Sequence, residues 1–274
     1  MASDHWSRLS RLWSLLGPPL RPSPEDVAFA ESVARAWQDA HPASRLRALL
    51  LGVTPELAMM RWPRETELLA IDQSDAMISA IWPRDGAPPG STAGTGDWRQ
   101  LDCPDASVDV VVGDGSLTVI GYPGDYRSVL AELHRVLRPD GRLVVRAFAS
   151  PEAREEVSDV ADALWSGGIA GVHALKWRLA MAVQPAERMI AVRDVWRAFC
   201  AICPDPSRLV DRLGWRREIV ATIETYRDSS AVYSFPTLGE VRSLLAAHFV
   251  ELACHVPSYE LGDRCPTLVL EPRR

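Results

Sequence analysis

Short apolar runs alternate with stretches of helical periodicity between residues 46 and 148, and this alternation constrains the possible folds more than any other feature. The runs at 46–51, 67–71, 108–112 and 143–148 have the length and composition of buried strands. Before the last of them, Tyr126, Leu130, Leu133 and Leu137 fall on one face of a helix. Strands separated by helices pair in parallel, so the pattern predicts an α/β fold with a parallel sheet.

Both flanks of this region have helical patterns. Trp6, Leu9, Trp13 and Leu16 share one helix face, and a second helix is predicted from Pro24 to about residue 41. Residues 83–94 are predicted to form a loop rich in Pro and Gly. Between residues 151 and 226 the strands give way to helical stripes, one of which comprises Met189, Val192, Trp196, Phe199 and Cys203.

The C-terminal part returns to the pattern of the core. Thr237 and Glu240 predict a capping box, and residues 249–256 and 267–270 predict two strands that form a hairpin. We therefore divide the chain into an N-terminal helical arm (1–44), an α/β core (45–150), a helical cap insertion (151–230) and a C-terminal helix with the last two strands (231–274).

Composition excludes several classes of protein. A net charge of −6 disfavours a protein that binds nucleic-acid phosphates. No run of eighteen apolar residues occurs, so the sequence predicts no membrane span. Five cysteines are too few and too irregular for a disulfide framework, which favours a reducing compartment and a cytoplasmic location.

The first strand ends in a turn that is suited to binding an anion. Gly52 permits a sharp turn, Thr54 fits a helix N-cap, and Pro55 fits the first helical position. The free N–H groups of a helix start can hold a phosphate or a carboxylate. The same residues also fit an ordinary strand-to-helix turn, and no G-x-G-x-x-G fingerprint supports a dinucleotide.

Two further acidic positions suit a nucleoside. Asp72 closes the second strand, where a carboxylate can accept both hydrogen bonds of a ribose diol or cap the next helix. Asp97 and Trp98 follow Gly96, and an acid beside an aromatic ring suits an adenine, although a buried tryptophan that anchors a loop is equally compatible.

Two other motifs carry less weight. Cys200 and Cys203 have C-x-x-C spacing, but no second cysteine pair completes a zinc site, so we predict no metal. Residues 207–226 resemble a helix-turn-helix unit, in which acidic residues dilute the basic ones, and we predict no nucleic-acid partner.

Together, Gly52, Asp72, Gly96-Asp97-Trp98 and residues 101–112 (LDCPDASVDVVV) and 133–143 (LHRVLRPDGRL) resemble class I S-adenosylmethionine-dependent methyltransferases. The resemblance covers residues 45–150 and is weaker over residues 237–271. It implies a seven-stranded, mostly parallel, Rossmann-like sheet with N-terminal helices and a helical cap insertion. One departure is that the first motif retains a single glycine, Gly52.

The resemblance implies S-adenosylmethionine as cofactor and a role for each matching residue. Gly52, Val53 and Thr54 would face the methionine part, and Asp72 would hold the ribose hydroxyls. The adenosine would be lined by Gln73, Met77, Asp97 and Trp98, and the sulfonium would lie beside Gly113, Asp114 and Gly115.

The implied activity is methyl transfer to a small molecule, in specialised metabolism. A sulfonium carries its own leaving group, so alignment of the nucleophile suffices and no triad or metal is required. Asp114 could deprotonate an acceptor or bind the cofactor's amino group, and Tyr122, near the same pocket mouth, is the second catalytic candidate. Two alternatives remain: a methyltransferase-like cyclase that converts S-adenosylmethionine into azetidine-2-carboxylate and methylthioadenosine, and a non-catalytic, cofactor-binding partner subunit.

Overall fold

The strands form a central sheet and a small separate ladder in the computed structural model, which describes residues 2–274. In chain order they are β1 (Arg47–Leu51), β2 (Glu67–Asp72), β3 (Thr92–Thr95), β4 (Val108–Asp114), β5 (Leu137–Arg146), β6 (Met189–Ala191), β7 (Val232–Ser234), β8 (Phe249–His255) and β9 (Thr267–Pro272). Within residues 2–274 the central sheet has seven strands in the order β3-β2-β1-β4-β5-β9-β8, while β6 pairs with β7.

The helices lie on both faces of the sheet and above one of its edges. They are α1 (Ala2–Arg11), α2 (Pro24–Ala40), α3 (Pro55–Ala58), α4 (Asp75–Ile81), α5 (Gly124–Val136), α6 (Val157–Trp165), α7 (Val172–Val183), α8 (Val192–Ile202), α9 (Ser207–Leu213), α10 (Arg217–Val220) and α11 (Leu238–Leu245). Short 3₁₀ helices span Trp13–Leu15, Ser116–Val119, Ala221–Tyr226 and Gly262–Arg264. No helix of the described chain is long and apolar enough to cross a membrane.

The central sheet is parallel from β3 to β5, β9 pairs antiparallel with β5, and β8 pairs antiparallel with β9 at the edge. Successive strand residues point to opposite faces, so Leu49 packs with α5 and α11 while Leu50 packs with α2 and α3. Both faces are buried, which explains why residues 48–51 of β1 and 110–112 of β4 are continuous apolar runs. The predicted α/β fold with a seven-stranded, mostly parallel sheet is confirmed.

Three local predictions were wrong. Residues 92–95, of which 92–94 were assigned to a loop, form the edge strand β3, whose Gly94 and small side chains give no apolar run to detect. Met189 belongs to β6 rather than to the helix that follows it, because α8 begins at Val192. Leu137, which was assigned to the helix face, begins β5, where extra residues bulge out between the pairings of Leu137 and Arg142 with β4.

The residues after β5 form a cap with its own core. Leu175, Trp177, Phe199, Tyr226 and Phe235 are among its buried residues. Trp6 of the N-terminal arm packs against the same cluster, so the arm and the cap contact each other. The division of the chain into four segments stays a prediction, and β7, which begins the last segment, pairs with β6 of the cap.

The capping box of α11 gives a first test of the fold. Thr237 Oγ1 accepts from the Glu240 N–H at 3.2 Å, and Glu240 Oε2 accepts from the Thr237 N–H at 2.7 Å. Thr237→Ala is therefore expected to lower the free energy of unfolding by about 1 kcal/mol in urea denaturation. Thr237→Ser keeps the hydroxyl and should stay close to the wild type. Equal losses in the two variants would contradict the cap.

Candidate functional site

A cavity of about 500 Å³ lies over the carboxyl ends of β1, β2 and β4 and the residues just after β5. Its size falls within the range of small-molecule sites, and its position is where open α/β sheets bind ligands. The N-terminal arm and the cap cover it from above. The arm contributes Trp6, Leu9, Trp13, Leu16 and Leu20, and the cap side contributes Trp177, Tyr226 and Tyr233. We therefore take this cavity as the candidate site.

The turn after β1 brings backbone close to Asp72. Gly52 has φ +91°, and a Cβ built on it would lie 3.6 Å from Asp72 Oδ2, so a side chain here would be strained and would narrow the cavity. Val53 and Thr54 also line the cavity. Thr54 is the N-cap residue of α3 and Pro55 begins the helix, as predicted, although the Thr54 side chain makes no capping hydrogen bond. The helix that follows is a single turn, so few peptide dipoles add up at its start.

Asp72 presents a partly satisfied carboxylate to the cavity. Its Oδ1 accepts the Ser74 N–H at 2.8 Å, and its Oδ2 is the atom close to Gly52. Burial raises the pKa of Asp72, and the hydrogen bond from Ser74 opposes that shift. The geometry leaves acceptor capacity for hydroxyl groups of a ligand. Gln73 and Met77 line the cavity beside it.

The two residues predicted to bind adenine are separated. Trp98 lines the cavity, and its Nε1–H donates to Ile71 O at 2.7 Å, which leaves the ring to contact a ligand. Asp97 is not among the lining residues. Its carboxylate accepts from Arg99 Nη2 at 2.7 Å, and that bond is the main reason why its pKa is lowered. Arg99 stands two positions after Asp97 in the sequence, and this spacing was the sign of an ion pair that we missed.

Asp114 lies at the cavity, but its carboxylate is engaged. Its Oδ1 accepts from Arg146 Nε at 2.5 Å, and both side chains are almost fully buried. Asp114 and Arg146 are register partners on the parallel strands β4 and β5. Arg146 also donates to the Tyr259 hydroxyl at 2.6 Å. The catalytic role predicted for Asp114 stays untested, and its ion pair favours a structural one.

The remaining predicted residues divide between the cavity and the core. Gly115 lines the cavity. Gly113 does not, because it packs against Ser116 and Leu51, and a Cβ there would lie 2.6 Å from Ser116 Oγ. Tyr122 is also outside the lining set, and its ring stands edge-on to Tyr126 at 5.3 Å.

The arm is fixed over the cavity by polar contacts that the sequence did not reveal. Arg21 Nε donates to Glu56 Oε1 at 2.6 Å, which ties the arm to the turn after β1. Its Nη1 donates to Trp13 O at 2.7 Å. On the other side, His173 Nε2 lies 3.0 Å from Leu15 O. The spacing of Trp6 and Trp13 predicted a helix face but not what that face covers.

The cavity has an acidic and aromatic wall. Among the lining residues that the structure describes, the charged side chains are Asp72, Asp75 and Asp114. Aromatic rings come from Trp6, Trp13, Trp98, Phe148, Trp177, Tyr226 and Tyr233. Such a wall favours cationic or uncharged ligands over anions. The described residues contain no group of three or more His, Cys, Asp or Glu side chains that could hold a metal ion.

Comparisons with known proteins assign the core. Residues 51–145 match the family model of the methyltransferase domain. A comparison with curated protein sequences found no match.

Solved structures match the whole chain at low identity. The CcbJ methyltransferase from Streptomyces caelestis is 11% identical, with 100% of both chains covered and a TM-score of 0.57. The N-methyltransferase NodS from Bradyrhizobium japonicum, in complex with S-adenosyl-L-homocysteine, is 11% identical over 99% of this chain and 100% of that chain, with a TM-score of 0.52. A protein described as a putative Zn-dependent alcohol dehydrogenase from Rhodobacter sphaeroides is 14% identical over 100% of this chain and 98% of that chain, with a TM-score of 0.58.

At these identities the structural matches show the fold, while the family model and the strand order assign the domain. Residues 51–145 match the methyltransferase domain model, and the chain has the fold of S-adenosylmethionine-dependent methyltransferase enzymes.

Proposed function

We propose that this chain transfers the methyl group of S-adenosylmethionine to an uncharged small molecule. The observation that carries the proposal is the single cavity that runs from the strand ends at Gly52 and Asp72 to the aromatic wall of the arm and cap. The strand ends suit the cofactor, and the rings that the arm and the cap contribute to the cavity are not among the residues that we assign to it. That arrangement supports a second compartment for an acceptor.

The residues at the strand ends fit the cofactor. Gly52 leaves the space that a Cβ would fill, and Asp72 offers a carboxylate to the ribose hydroxyls. We assign the cofactor to Gly52, Val53, Thr54, Asp72, Gln73, Met77, Trp98 and Gly115, all of which line the cavity. When bound, S-adenosylmethionine supplies an activated methyl group on a sulfonium, and the acidic wall complements that positive charge. Asp97, Gly113 and Tyr122 lie outside this assignment.

The closure of the cavity favours a small acceptor. The arm and the cap contribute rings on opposite sides, and the lining residues in the described chain include no Lys, Arg or His to neutralise phosphates or carboxylates. A polynucleotide needs such cations and an open groove. The chain thereby holds an uncharged nucleophile near the strand ends and excludes water from it. The assignment to specialised metabolism stays a prediction.

The cyclase alternative is tested without any acceptor. After incubation of the purified chain with S-adenosylmethionine alone, we expect mass spectrometry to find the cofactor intact, at the same level as in a sample with Asp72→Ala. Methylthioadenosine and azetidine-2-carboxylate formed by the wild type, and not by the variant, would overturn methyl transfer. Binding of the cofactor with turnover only in a larger complex would favour the partner-subunit alternative.

A further inference from the structure

Five of the aromatic rings that line the cavity belong to one connected cluster. Between ring centroids, Tyr233 lies 6.4 Å from Trp6 and 5.7 Å from Trp177. Trp177 in turn lies 5.1 Å from Phe148. Tyr226 is 6.4 Å from Tyr233. We call these five residues the ring cluster: Trp6, Phe148, Trp177, Tyr226 and Tyr233.

Phe148 joins the ring cluster to the cofactor end of the cavity. Gly115 has φ +60°, and a Cβ built on it would collide with the Phe148 ring. Gly115 lines the cavity and is one of the residues that we assign to the cofactor. Arg146 Cζ lies 4.9 Å from the centroid of the same ring, and Arg146 is itself held by its ion pair with Asp114. The ring cluster therefore begins in direct contact with a residue of the cofactor site.

Trp177 lies at the centre of the ring cluster. Its ring meets those of three aromatic neighbours at steep angles, which are 64° for Phe148, 71° for Phe235 and 88° for Tyr233. The Trp177 side chain is 4% exposed. A ring packed in this way is ordered before a ligand arrives, so binding costs it little conformational entropy.

The aromatic and the aliphatic lining residues come from different parts of the chain. Of the lining residues in the described chain, those that follow β5 are all aromatic. The lining leucines precede β5 and are Leu9, Leu16, Leu20 and Leu51. An aliphatic acceptor gains only buried apolar area from the rings, whereas an aromatic acceptor also gains edge-to-face or offset-stacked contacts. The part of the lining after β5 therefore favours an aromatic acceptor.

The lining carboxylates are already engaged, so they leave no counter-charge for a cationic acceptor. Asp114 is paired with Arg146. Asp75 accepts from the Thr95 hydroxyl, and Asp72 lies at the strand end that we assign to the ribose. A bound sulfonium would also repel a second cation in the same cavity. The ring cluster therefore suits an uncharged ring better than an ammonium.

We propose that the methyl acceptor is an uncharged aromatic molecule, and that Phe148 and Trp177 determine this specificity by contacting its ring. The inference rests on the proposed methyl transfer and narrows the class of its substrate. Phe148 sets how closely the acceptor ring approaches the cofactor, because it packs on Gly115. Trp177, the next ring along the cluster, contacts the part of the acceptor that lies farther from the cofactor.

The test compares two probes that differ in aromaticity. Phenol and cyclohexanol each have a six-carbon ring and one hydroxyl group, and both are uncharged at pH 7. The chain is saturated with S-adenosylhomocysteine, and the dissociation constant of each probe is measured by ligand-observed NMR. One aromatic pair favours phenol by about threefold, so contacts with two rings should make phenol bind about tenfold more tightly than cyclohexanol.

Three variants test the part played by Trp177. Trp177→Leu removes one aromatic pair and should lower the ratio of the two dissociation constants to about threefold. Trp177→Phe keeps a ring and should keep a ratio of about ten. Trp165→Leu is the matched control, because Trp165 packs against the core of the cap but does not line the cavity, and its ratio should equal that of the wild type. The affinity of each variant for S-adenosylhomocysteine shows whether it is folded.

The outcomes separate this inference from the proposed function. A wild type that does not bind S-adenosylhomocysteine overturns the proposed function and the aromatic acceptor with it. When S-adenosylhomocysteine binds, equal dissociation constants for the two probes, or no binding of phenol, overturn the aromatic acceptor alone. Tighter binding of cyclohexylammonium than of phenol also overturns it.

The variants add an outcome of their own. A folded Trp177→Leu that keeps the tenfold ratio overturns the role of Trp177 in specificity. Where Trp177→Leu does not fold, the ratios in the wild type and in Trp177→Phe decide the proposal, because a ratio near one in either protein contradicts it.

Discussion

Asp72→Ala is expected to weaken the binding of S-adenosylhomocysteine by about 100-fold. The ribose diol donates two hydrogen bonds to this carboxylate in our proposal, and a hydrogen bond to a charged group contributes about 1.5 kcal/mol or more. Two such bonds correspond to about 3 kcal/mol, or two orders of magnitude in affinity. Titration calorimetry at neutral pH measures the effect directly.

The matched control is an acid that lies away from the cavity. Asp105 is exposed and pairs with Arg135 Nη1 at 2.6 Å, so Asp105→Ala should leave the affinity unchanged. Asp97 was predicted to bind adenine but does not line the cavity. Asp97→Ala should therefore weaken the binding of S-adenosylhomocysteine much less than Asp72→Ala does. Wild-type affinity in Asp72→Ala would contradict our assignment of the ribose.

Lys176→Met is expected to raise the free energy of unfolding by about 4 kcal/mol at pH 7. Lys176 is the one lysine of the sequence and is fully buried in the cap. Its Nζ donates to Thr222 Oγ1 at 2.7 Å, and burial lowers its pKa to about 7. Methionine replaces the apolar stem, and Thr222 keeps its own donation to Ile219 O at 2.6 Å, so the change leaves no new unpaired donor.

The sign of the pH dependence follows from the two pKa values. The unfolded chain has a lysine pKa near 10.5, and the folded chain has one of about 7. Between these values the unfolded state binds more protons, so this lysine destabilises the fold most below pH 7 and progressively less as pH rises toward 10.5. The advantage of Lys176→Met should therefore fall to about 2 kcal/mol at pH 9.

Urea denaturation of the wild type and of Lys176→Met at pH 7 and pH 9 measures the difference in their free energies of unfolding. The other titrating groups are the same in both proteins, so their contributions cancel in that difference. Arg178→Met is the matched control on the same helix. Arg178 pairs with Glu155, so its loss should not stabilise the fold. A difference between wild type and Lys176→Met that does not change with pH would contradict a depressed lysine pKa.

Much of the core was predictable because its signals are local. Strands β1, β2, β4 and β5 each contain a short apolar run, and the buried residues of α5 repeat at the helical period. Strand β3 was missed because an edge strand of four small residues contains no apolar run. These residues form a strand because they pair with β2, and that pairing is not visible in their own sequence.

The strand ends of the site were predictable for a related reason. In a parallel sheet all carboxyl ends meet at one edge, so Gly52 and Asp72 had to be neighbours once both strands were assigned. Asp114 lies at the same edge, but its pairing with Arg146 depends on the register of β4 against β5. Register is fixed by contacts between strands, so the sequence of one strand alone does not determine it.

The sequence by itself determined the class of the fold, the resemblance of its core to methyltransferases and the sheet edge at which Gly52 and Asp72 lie, because strand length, periodicity and turn chemistry act over a few residues. The tertiary structure decided which residues of the arm and the cap lie opposite that sheet edge. His5 and Tyr233 are 228 positions apart and meet at 2.9 Å. Contacts of that separation arise when the arm and the cap bury their apolar faces against each other, and no local pattern specifies which polar atoms then meet.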